Sequence, residues 1–261
     1  MVELIFGIHA VKSALNYCSD GKHSNGKEGG GDDVASEQIT ALFVDRGRKD
    51  NRISAIVELA KKKSVKVTLV QRKKLDELTS GNHQGVVAQS KAPKVKSESF
   101  LDDLLQELDV PPFLLILDGV QDPHNLGACL RTADASGVHA IIVPKDRSVS
   151  LTPTVRKVAC GADQSVPLIQ VTNLARTLKL LKSYQIWVVG TAGETDVTIY
   201  NSDLKGPLAL VMGTEGKGMR RLTRENCDAL VKIPMVGSVE SLNVSVATGI
   251  SLFEAVRQRS K

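Results

Sequence analysis

In the last two thirds of the chain, short continuous apolar runs alternate with segments in which apolar residues recur every three or four positions. Continuous runs are typical of parallel strands buried on both faces, and the longer spacing is typical of helices. This alternation predicts an α/β domain built on a parallel sheet. The predicted strands cover 113–117, 140–143, 166–169, 186–189, 208–212 and 230–233, and the predicted helices 125–136, 152–160, 173–183, 219–227 and 241–258.

The first third of the chain carries a smaller set of elements. The same patterns predict helices at 7–16, 51–63 and 73–78 and strands at 39–44, 65–70 and 85–89. Residues 18–38 are rich in glycine and polar side chains, which predicts a flexible surface loop. We therefore predict a small N-terminal α/β domain over 1–90, a linker over 91–110 with a helix at 101–108, and a second domain over 111–261.

Composition narrows the class of protein. The 261 residues are 42% hydrophobic, which is enough for two domains with their own cores. No apolar run reaches the roughly 18 residues that span a membrane, and the N-terminus lacks the regions of a signal peptide. The four cysteines include no Cys-x-x-Cys pair, which argues against a metal cluster and a disulfide framework. We therefore expect a cytoplasmic protein with no membrane partner and no metal.

The positive charge is concentrated in the first third of the chain. Residues 1–96 hold 17 Lys and Arg against 11 Asp and Glu, a balance of +6, whereas residues 97–261 hold 17 against 18, a balance of −1. A basic excess attracts an anionic partner such as RNA. A lysine-rich solvated surface would give the same balance, so charge alone leaves both interpretations open.

Three polar segments follow predicted strands of the second domain, at the sheet edge where α/β proteins bind ligands. They read DPHNLGACLR at 122–131, MGTEGKG at 212–218, and IPM at 233–235 continuing to SLNVS at 241–245. The second segment matches neither the dinucleotide-binding fingerprint nor a P-loop. From the residues alone, we predict an α/β protein that binds a nucleotide or nucleoside and has a basic accessory domain.

Most of these polar residues also have a structural explanation. Asn125 and Ser241 are each well placed to cap a helix, and the glycines suit a tight turn. Arg131 is either a surface charge or a phosphate clamp. Glu215 lies between glycines and has no packing reason to be there. The last predicted helix has an apolar stripe that we expect to face the core, formed by Leu242, Val246, Ile250 and Phe253.

Taken in this order, the three segments resemble the motifs of the SpoU–TrmH family, which methylates ribose 2′-hydroxyls of RNA with S-adenosylmethionine. The resemblance covers residues 113–261 and implies a C-terminal trefoil knot and a homodimer. It implies catalytic roles for Asn125, Arg131, Glu215, Ser241 and Asn243. It implies that the cofactor is bound by backbone and apolar side chains, for which the candidates are Gly213, Gly218, Ile233, Met235 and Leu242.

Two stretches extend the resemblance into the first domain: FGIHAV at 6–11 and HQG at 83–85. Both are similar to the bacterial 23S ribosomal RNA guanosine 2′-O-methyltransferases, which carry an N-terminal RNA-binding module of ribosomal-protein type. The resemblance therefore implies large-subunit ribosomal RNA as the partner. Two alternatives remain open: methylation of another RNA such as tRNA, and a non-catalytic factor that binds RNA during ribosome assembly. The missing dinucleotide fingerprint disfavours an oxidoreductase.

Arg131 has two possible roles in the implied reaction. Mechanisms proposed for the family make the matching arginine the proton acceptor. Because a guanidinium is effectively always protonated in proteins, an equally good hypothesis is that Arg131 clamps a phosphate and stabilises the developing alkoxide.

Overall fold

A computed structural model describes the protein at residues 2–17, 39–48, 50–91, 95–214, 216 and 218–260. The predicted loop at 18–38 lies outside the described residues, and so does Glu215. The chain divides into two compact units, Met1–Lys94 and Val95–Lys261. Within the described ranges, no helix has both the length and the apolar character needed to cross a membrane.

The first unit is a mixed four-stranded sheet covered by helices. Its strands are β1 (Val2–Phe6), β2 (Ile39–Asp45), β3 (Lys66–Val70) and β4 (Val86–Lys91), and its helices are α1 (Ile8–Tyr17), α2 (Asn51–Lys62) and α3 (Arg72–Leu78). The strand order is β1-β4-β2-β3. Strands β2 and β3 are parallel, whereas β4 is antiparallel to both of its neighbours. Strand β1 was missed by the sequence prediction, which assigned no element before residue 7.

The second unit contains a six-stranded sheet in which every pairing is parallel. The strand order is β10-β8-β9-β5-β6-β7. The strands are β5 (Phe113–Leu117), β6 (Ala140–Pro144), β7 (Leu168–Val171), β8 (Trp187–Thr191), β9 (Leu208–Met212) and β10 (Ala229–Val231). The helices are α4 (Glu98–Glu107), α5 (Pro123–Ala135), α6 (Pro153–Ala159), α7 (Ala162–Ser165), α8 (Leu174–Ser183), α9 (Arg221–Glu225) and α10 (Val244–Arg259), with a 3-10 turn at Ile199–Asn201. The predicted parallel α/β architecture is confirmed.

The sheet of the second unit is buried on both faces, as its continuous apolar strands require. Along β5, Phe113, Leu115 and Leu117 pack into one core with residues of α5 and α10. Leu114 and Ile116 pack into the opposite core with α4 and α8. Each such side chain contributes about 1.5–3 kcal/mol of hydrophobic stabilisation when fully buried.

Helix α4 lies within the predicted linker at 91–110 but belongs to the second unit. Its buried residues Leu101 and Leu105 join the core on one face of the sheet. The backbone N–H of Lys96 already donates to the carbonyl of Leu168 at 2.8 Å. The helix predicted at 101–108 is therefore observed as α4, and its apolar residues at four-residue spacing pack against the sheet of the second unit.

The two cap predictions were wrong. The N-cap of α5 is Asp122, whose Oδ1 accepts from the backbone N–H groups of His124 and Asn125. Pro123 occupies the first helical turn, where its fixed φ and missing N–H are favourable, so the cap falls before it. The N-cap of α10 is Asn243 rather than Ser241.

The apolar stripe predicted for the last helix does not face the core. Val246 and Phe253 are each 50% exposed. Helix α10 instead buries a neighbouring face that includes Val244, Leu252 and Ala255. Because α10 has apolar residues on both faces, spacing alone did not identify the face that packs.

Candidate active site

A cleft of about 750 Å³ lies at the carboxyl ends of three neighbouring strands, β10, β8 and β9. It is lined by residues 191–194 at the end of β8 and by residues 231–235 at the end of β10. At the end of β9 the lining residues are Met212, Gly213, Thr214, Gly216, Gly218 and Met219. The lining is completed by Glu240, Ser241 and Leu242, which precede α10, and by Val244 and Ala247 in its first turns. The volume lies in the range of small-molecule and cofactor sites.

The turn after β9 is a narrow hairpin, and the space beside residue 213 is so small that only glycine fits there. The backbone N–H of Thr214 donates to the carbonyl of Gly218 at 3.0 Å, and the reverse bond measures 2.9 Å. A Cβ on Gly213 would lie 2.2 Å from the carbonyl carbon of Gly218 and 2.3 Å from the backbone nitrogen of Met219. Gly218 has a φ of 65°, in the left-handed region that favours glycine. The glycines therefore leave backbone rather than side chains facing this part of the cleft.

An ion pair between a buried carboxylate and a half-exposed arginine joins this hairpin to the neighbouring strand. The Asp118 side chain follows β5 and is completely buried. Its Oδ1 accepts from the Arg220 guanidinium at 2.5 and 2.6 Å, and its Oδ2 accepts from the Arg220 backbone N–H at 2.8 Å. Three bonds to one carboxylate fix the residue that follows the hairpin. Sequence reasoning missed Asp118, although a carboxylate directly after a buried strand was a signal for it.

Two asparagines predicted for the site meet across 118 positions of sequence. The Asn243 Nδ2 donates to Asn125 Oδ1 at 2.9 Å, which links the start of α5 to the start of α10. The Asn243 Oδ1 accepts from the backbone N–H of Ser245 at 2.9 Å and from its hydroxyl at 2.6 Å. A side-chain hydrogen bond therefore joins the first and third polar segments.

Arg131 lies on the exposed side of α5 and outside the lining of the cleft. Its guanidinium is 3.9 Å from the sulfur of Cys160, and the described residues include no carboxylate that pairs with it. Such an exposed guanidinium is available to a phosphate.

Cys129 lies between Asn125 and Arg131 on the same helix but has a different environment. Burial raises the pKa of its thiol to about 11, and the Thr248 hydroxyl nearby opposes this only partly. Cys129 is therefore a neutral core residue rather than a nucleophile.

The cleft brings together all five candidate cofactor residues, Gly213, Gly218, Ile233, Met235 and Leu242, together with Ser241. Asn125 and Asn243 meet each other, Arg131 stands apart, and Glu215 lies outside the described residues. Sequence reasoning did not find the contribution of β8, where residues 191–194 line the cleft. The glycine at 193 after that strand was the available signal. Among the described residues no group of His, Cys, Asp and Glu could hold a metal ion.

Comparisons with known proteins agree with this geometry. Residues 112–253 match the model of the SpoU rRNA methylase family. Residues 34–95 match a model described as RNA 2′-O ribose methyltransferase substrate binding. The chain therefore belongs to the SpoU rRNA methylase family.

Two relatives match along almost their whole length. The 23S rRNA (guanosine-2′-O-)-methyltransferase RlmB of Escherichia coli K12 is 56% identical, with 100% of each chain covered. The enzyme of the same name from Shewanella oneidensis is 57% identical over 98% of each chain. Among solved structures, the SpoU methyltransferase AviRb of Streptomyces viridochromogenes, crystallised with AdoMet, has the same fold. Its TM-score is 0.76 at 24% identity, with 100% of this chain and 91% of that chain covered.

Proposed function

We propose that this protein transfers a methyl group from S-adenosylmethionine to the ribose 2′-hydroxyl of a guanosine in 23S ribosomal RNA. The observation that carries the proposal is the cleft at the ends of β8, β9 and β10, which contains six of the ten candidate site residues. Family membership and the full-length relatives support the RNA substrate.

The cleft fits S-adenosylmethionine in size and chemistry. Ile233, Met235 and Leu242 provide an apolar wall for an adenine ring. Gly213 and Gly218 expose backbone groups that can hydrogen-bond the polar parts of the molecule. When bound, the cofactor supplies an electrophilic methyl group on a sulfonium, so the protein has to position the ribose oxygen in line with it.

The ribose hydroxyl has to lose its proton, here to solvent water, as its oxygen bonds to the methyl carbon and the bond from that carbon to sulfur breaks, which leaves S-adenosylhomocysteine. We assign Arg131 to a phosphate next to the target ribose, where its positive charge stabilises the developing alkoxide. The guanidinium stays protonated throughout, which distinguishes this role from that of a base. Asn125 and Asn243 hold the starts of α5 and α10 together, and Glu215 and Ser241 orient the ribose.

Methyl transfer to isolated RNA tests the proposal directly. Labelled S-adenosylmethionine is mixed, in separate reactions, with 23S ribosomal RNA and with tRNA from cells that lack this protein, and the modified ribose is mapped by its resistance to alkaline cleavage. We expect incorporation at one guanosine. Incorporation only into tRNA would show that tRNA, and not 23S ribosomal RNA, is the substrate. Cofactor binding without any incorporation would favour an RNA-binding assembly factor.

The Arg131→Ala variant tests the assignment of the arginine. We expect kcat to fall by about 100-fold or more, the loss typical when one charge-stabilising donor is removed, with cofactor affinity unchanged. Lys179→Ala is the matched control, because Lys179 is an exposed cation on α8, in the opposite layer. Normal turnover by Arg131→Ala would contradict both the clamp and the base.

We also propose that the second unit forms a homodimer and that its chain is knotted. The half-exposed Val246 and Phe253 on α10 support the dimer, because a second copy would cover them. The knot is supported by the path after β10, which passes the ends of β8 and β9 before α10 packs against α5. Mechanical stretching of the denatured chain tests it, since a knot shortens the final extension.

The proposed rRNA substrate implies a reaction in the cytoplasm. The unpaired thiols of Cys129, Cys160 and Cys227 are compatible with that compartment.

A further inference from the structure

Basic residues that follow two neighbouring strands, β2 and β3, lie at one edge of the first unit. Strands β2 and β3 are parallel, so both end at the same edge. The Arg46 backbone N–H donates to the carbonyl of Val70 at 2.8 Å, which joins the two strand ends directly. We call this surface the carboxyl edge; it is formed by Arg46, Arg48, Arg52, Arg72, Lys73 and Lys74.

Hydrogen bonds hold the described residues of the loop that follows β2. Asp45 Oδ1 accepts from the backbone N–H of Gly47 at 2.9 Å, and its carbonyl accepts from the backbone N–H of Arg48 at 3.1 Å. The Arg48 guanidinium donates to Asp50, the N-cap of α2, at 2.5 Å and to the carbonyl of Gln84. The basic residues therefore project from an ordered frame, which reduces the conformational entropy lost on binding.

This frame accounts for the two first-unit stretches that the proposed reaction does not use. In HQG, His83 Nδ1 accepts from the backbone N–H of Gly85 at 3.0 Å, and a Cβ on Gly85 would lie 2.8 Å from Arg48 Cδ. Gln84 Oε1 accepts from the backbone N–H of Ile8, at the start of α1 in FGIHAV, at 3.0 Å. HQG therefore contacts Arg48 of the carboxyl edge, and FGIHAV is hydrogen-bonded to HQG.

Most of the positive charge on the carboxyl edge is not neutralised. Arg48 pairs with Asp50 and Lys74 pairs with Glu77. The other four cations form no ion pair with any described residue and are exposed; they are Arg46, Arg52, Arg72 and Lys73. Three of the four are arginines, whose planar donors match phosphate oxygens.

We propose that the carboxyl edge is the surface through which the first unit binds the sugar-phosphate backbone of the substrate RNA. The inference rests on the proposed function and adds the place of contact. Positive charge is also present at the opposite edge, where Lys61, Lys62 and Lys66 are exposed. Those three are lysines rather than arginines, and they lie at the end of α2 and the start of β3, where the turn is closed by backbone hydrogen bonds. The two edges therefore form an internal comparison.

Two triple variants of the full chain decide between the edges. Arg46→Gln/Arg72→Gln/Lys73→Gln changes the carboxyl edge, and Lys61→Gln/Lys62→Gln/Lys66→Gln is the control; each removes three positive charges. The probe is unmodified 23S ribosomal RNA made by transcription, and affinity is measured by filter binding between 50 and 200 mM salt. Thermal unfolding verifies that both variants are folded.

We expect the carboxyl-edge variant to bind RNA at least about tenfold more weakly. We also expect the slope of log affinity against log salt to become shallower by about 2, because each lost phosphate contact removes about 0.7–0.9 from it. The control should stay within about threefold of the unchanged protein. Equal losses in both variants, or no loss in either, would overturn the inference.

Methyl transfer by the unchanged protein separates this inference from the proposed function. If that protein binds the RNA but transfers no methyl group, the proposed function fails while the comparison of the two variants still decides the binding surface. If it methylates the RNA and the two variants bind equally, the proposed function stands and the carboxyl edge is wrong.

Discussion

Replacing Gly213 by alanine is the most direct test of the cofactor cleft. Gly213 follows β9, and the hairpin that closes against it leaves no space for a side chain. The atoms that a Cβ would meet are backbone atoms of Gly218 and Met219 at 2.2–2.6 Å. Backbone cannot rotate away as a flexible side chain can, so the hairpin itself has to move.

The size of the effect follows from these distances. Carbon atoms are in favourable contact at about 3.5–4.0 Å, so the hairpin must shift by roughly 1 Å or more. Such a shift adds overpacking strain of about 1–3 kcal/mol and breaks the paired bonds between Thr214 and Gly218, at about 1 kcal/mol each. A cost of about 3–5 kcal/mol corresponds to an affinity at least about 100-fold weaker, since each 1.4 kcal/mol is a factor of ten.

Isothermal titration of S-adenosylmethionine into the two proteins measures this loss. Gly193→Ala is the matched control, because Gly193 lines the same cleft and a Cβ there would meet no atom within 4 Å. Its backbone is also outside the positive-φ region. We expect Gly193→Ala to bind within about threefold of the unchanged protein. Unchanged affinity in Gly213→Ala would show that the hairpin does not form the cofactor site.

Three further predictions concern stability and assembly. Asp118→Asn should destabilise the second unit by about 1–2 kcal/mol in denaturant unfolding, because the buried side chain loses its charge-assisted bonds to Arg220, whose half-exposed guanidinium water can still solvate. Burial, with a smaller effect from Arg259, lowers the pKa of His139, whose Nδ1 accepts from a backbone N–H. The resulting stabilisation is present above roughly pH 6.5 and is lost as pH falls through the lowered folded pKa, so His139→Asn should flatten the acid side of the stability profile. Phe253→Asp should convert the proposed dimer to monomer in sedimentation, whereas Leu222→Asp, similarly exposed on α9, should not.

Each of these has an outcome that contradicts it. Asp118→Asn with unchanged unfolding would mean that the ion pair contributes nothing net, as some buried pairs do. An equally steep acid limb in His139→Asn would assign the pH dependence to other groups. A monomer before any substitution would remove the dimer proposal altogether.

Local pattern was sufficient for the elements in the middle of the sheet. The bounds predicted for β5 and β9 are the observed ones, because every residue of both strands is buried and the apolar run ends where the strand ends. The pattern predicted other elements less accurately. Strand β1 was missed, and α4 begins at Glu98, three residues before the start predicted at 101.

The candidate site was predicted in part. The glycines and apolar residues of the second and third segments do line one cleft, because parallel strands end at one edge of their sheet. The helix caps were assigned to the wrong residues, since several polar side chains near each helix start could serve. The residues after β8 were not considered, although β8 lies between β9 and β10 in the sheet. Strand order is not encoded in periodicity, so the neighbours of β9 were unknown until the structure gave them.

By itself, the sequence determined the parallel α/β class, the basic first third and the requirement for glycine after β9, because burial, charge and backbone conformation are properties of short segments. Only the tertiary structure decided which distant residues meet: Asn125 with Asn243, Asp118 with Arg220, and Arg48 with Gln84. It also decided which apolar face of α10 packs and which remains exposed. Such pairings depend on strand order and helix packing, which follow from the sum of many weak contacts across the whole unit.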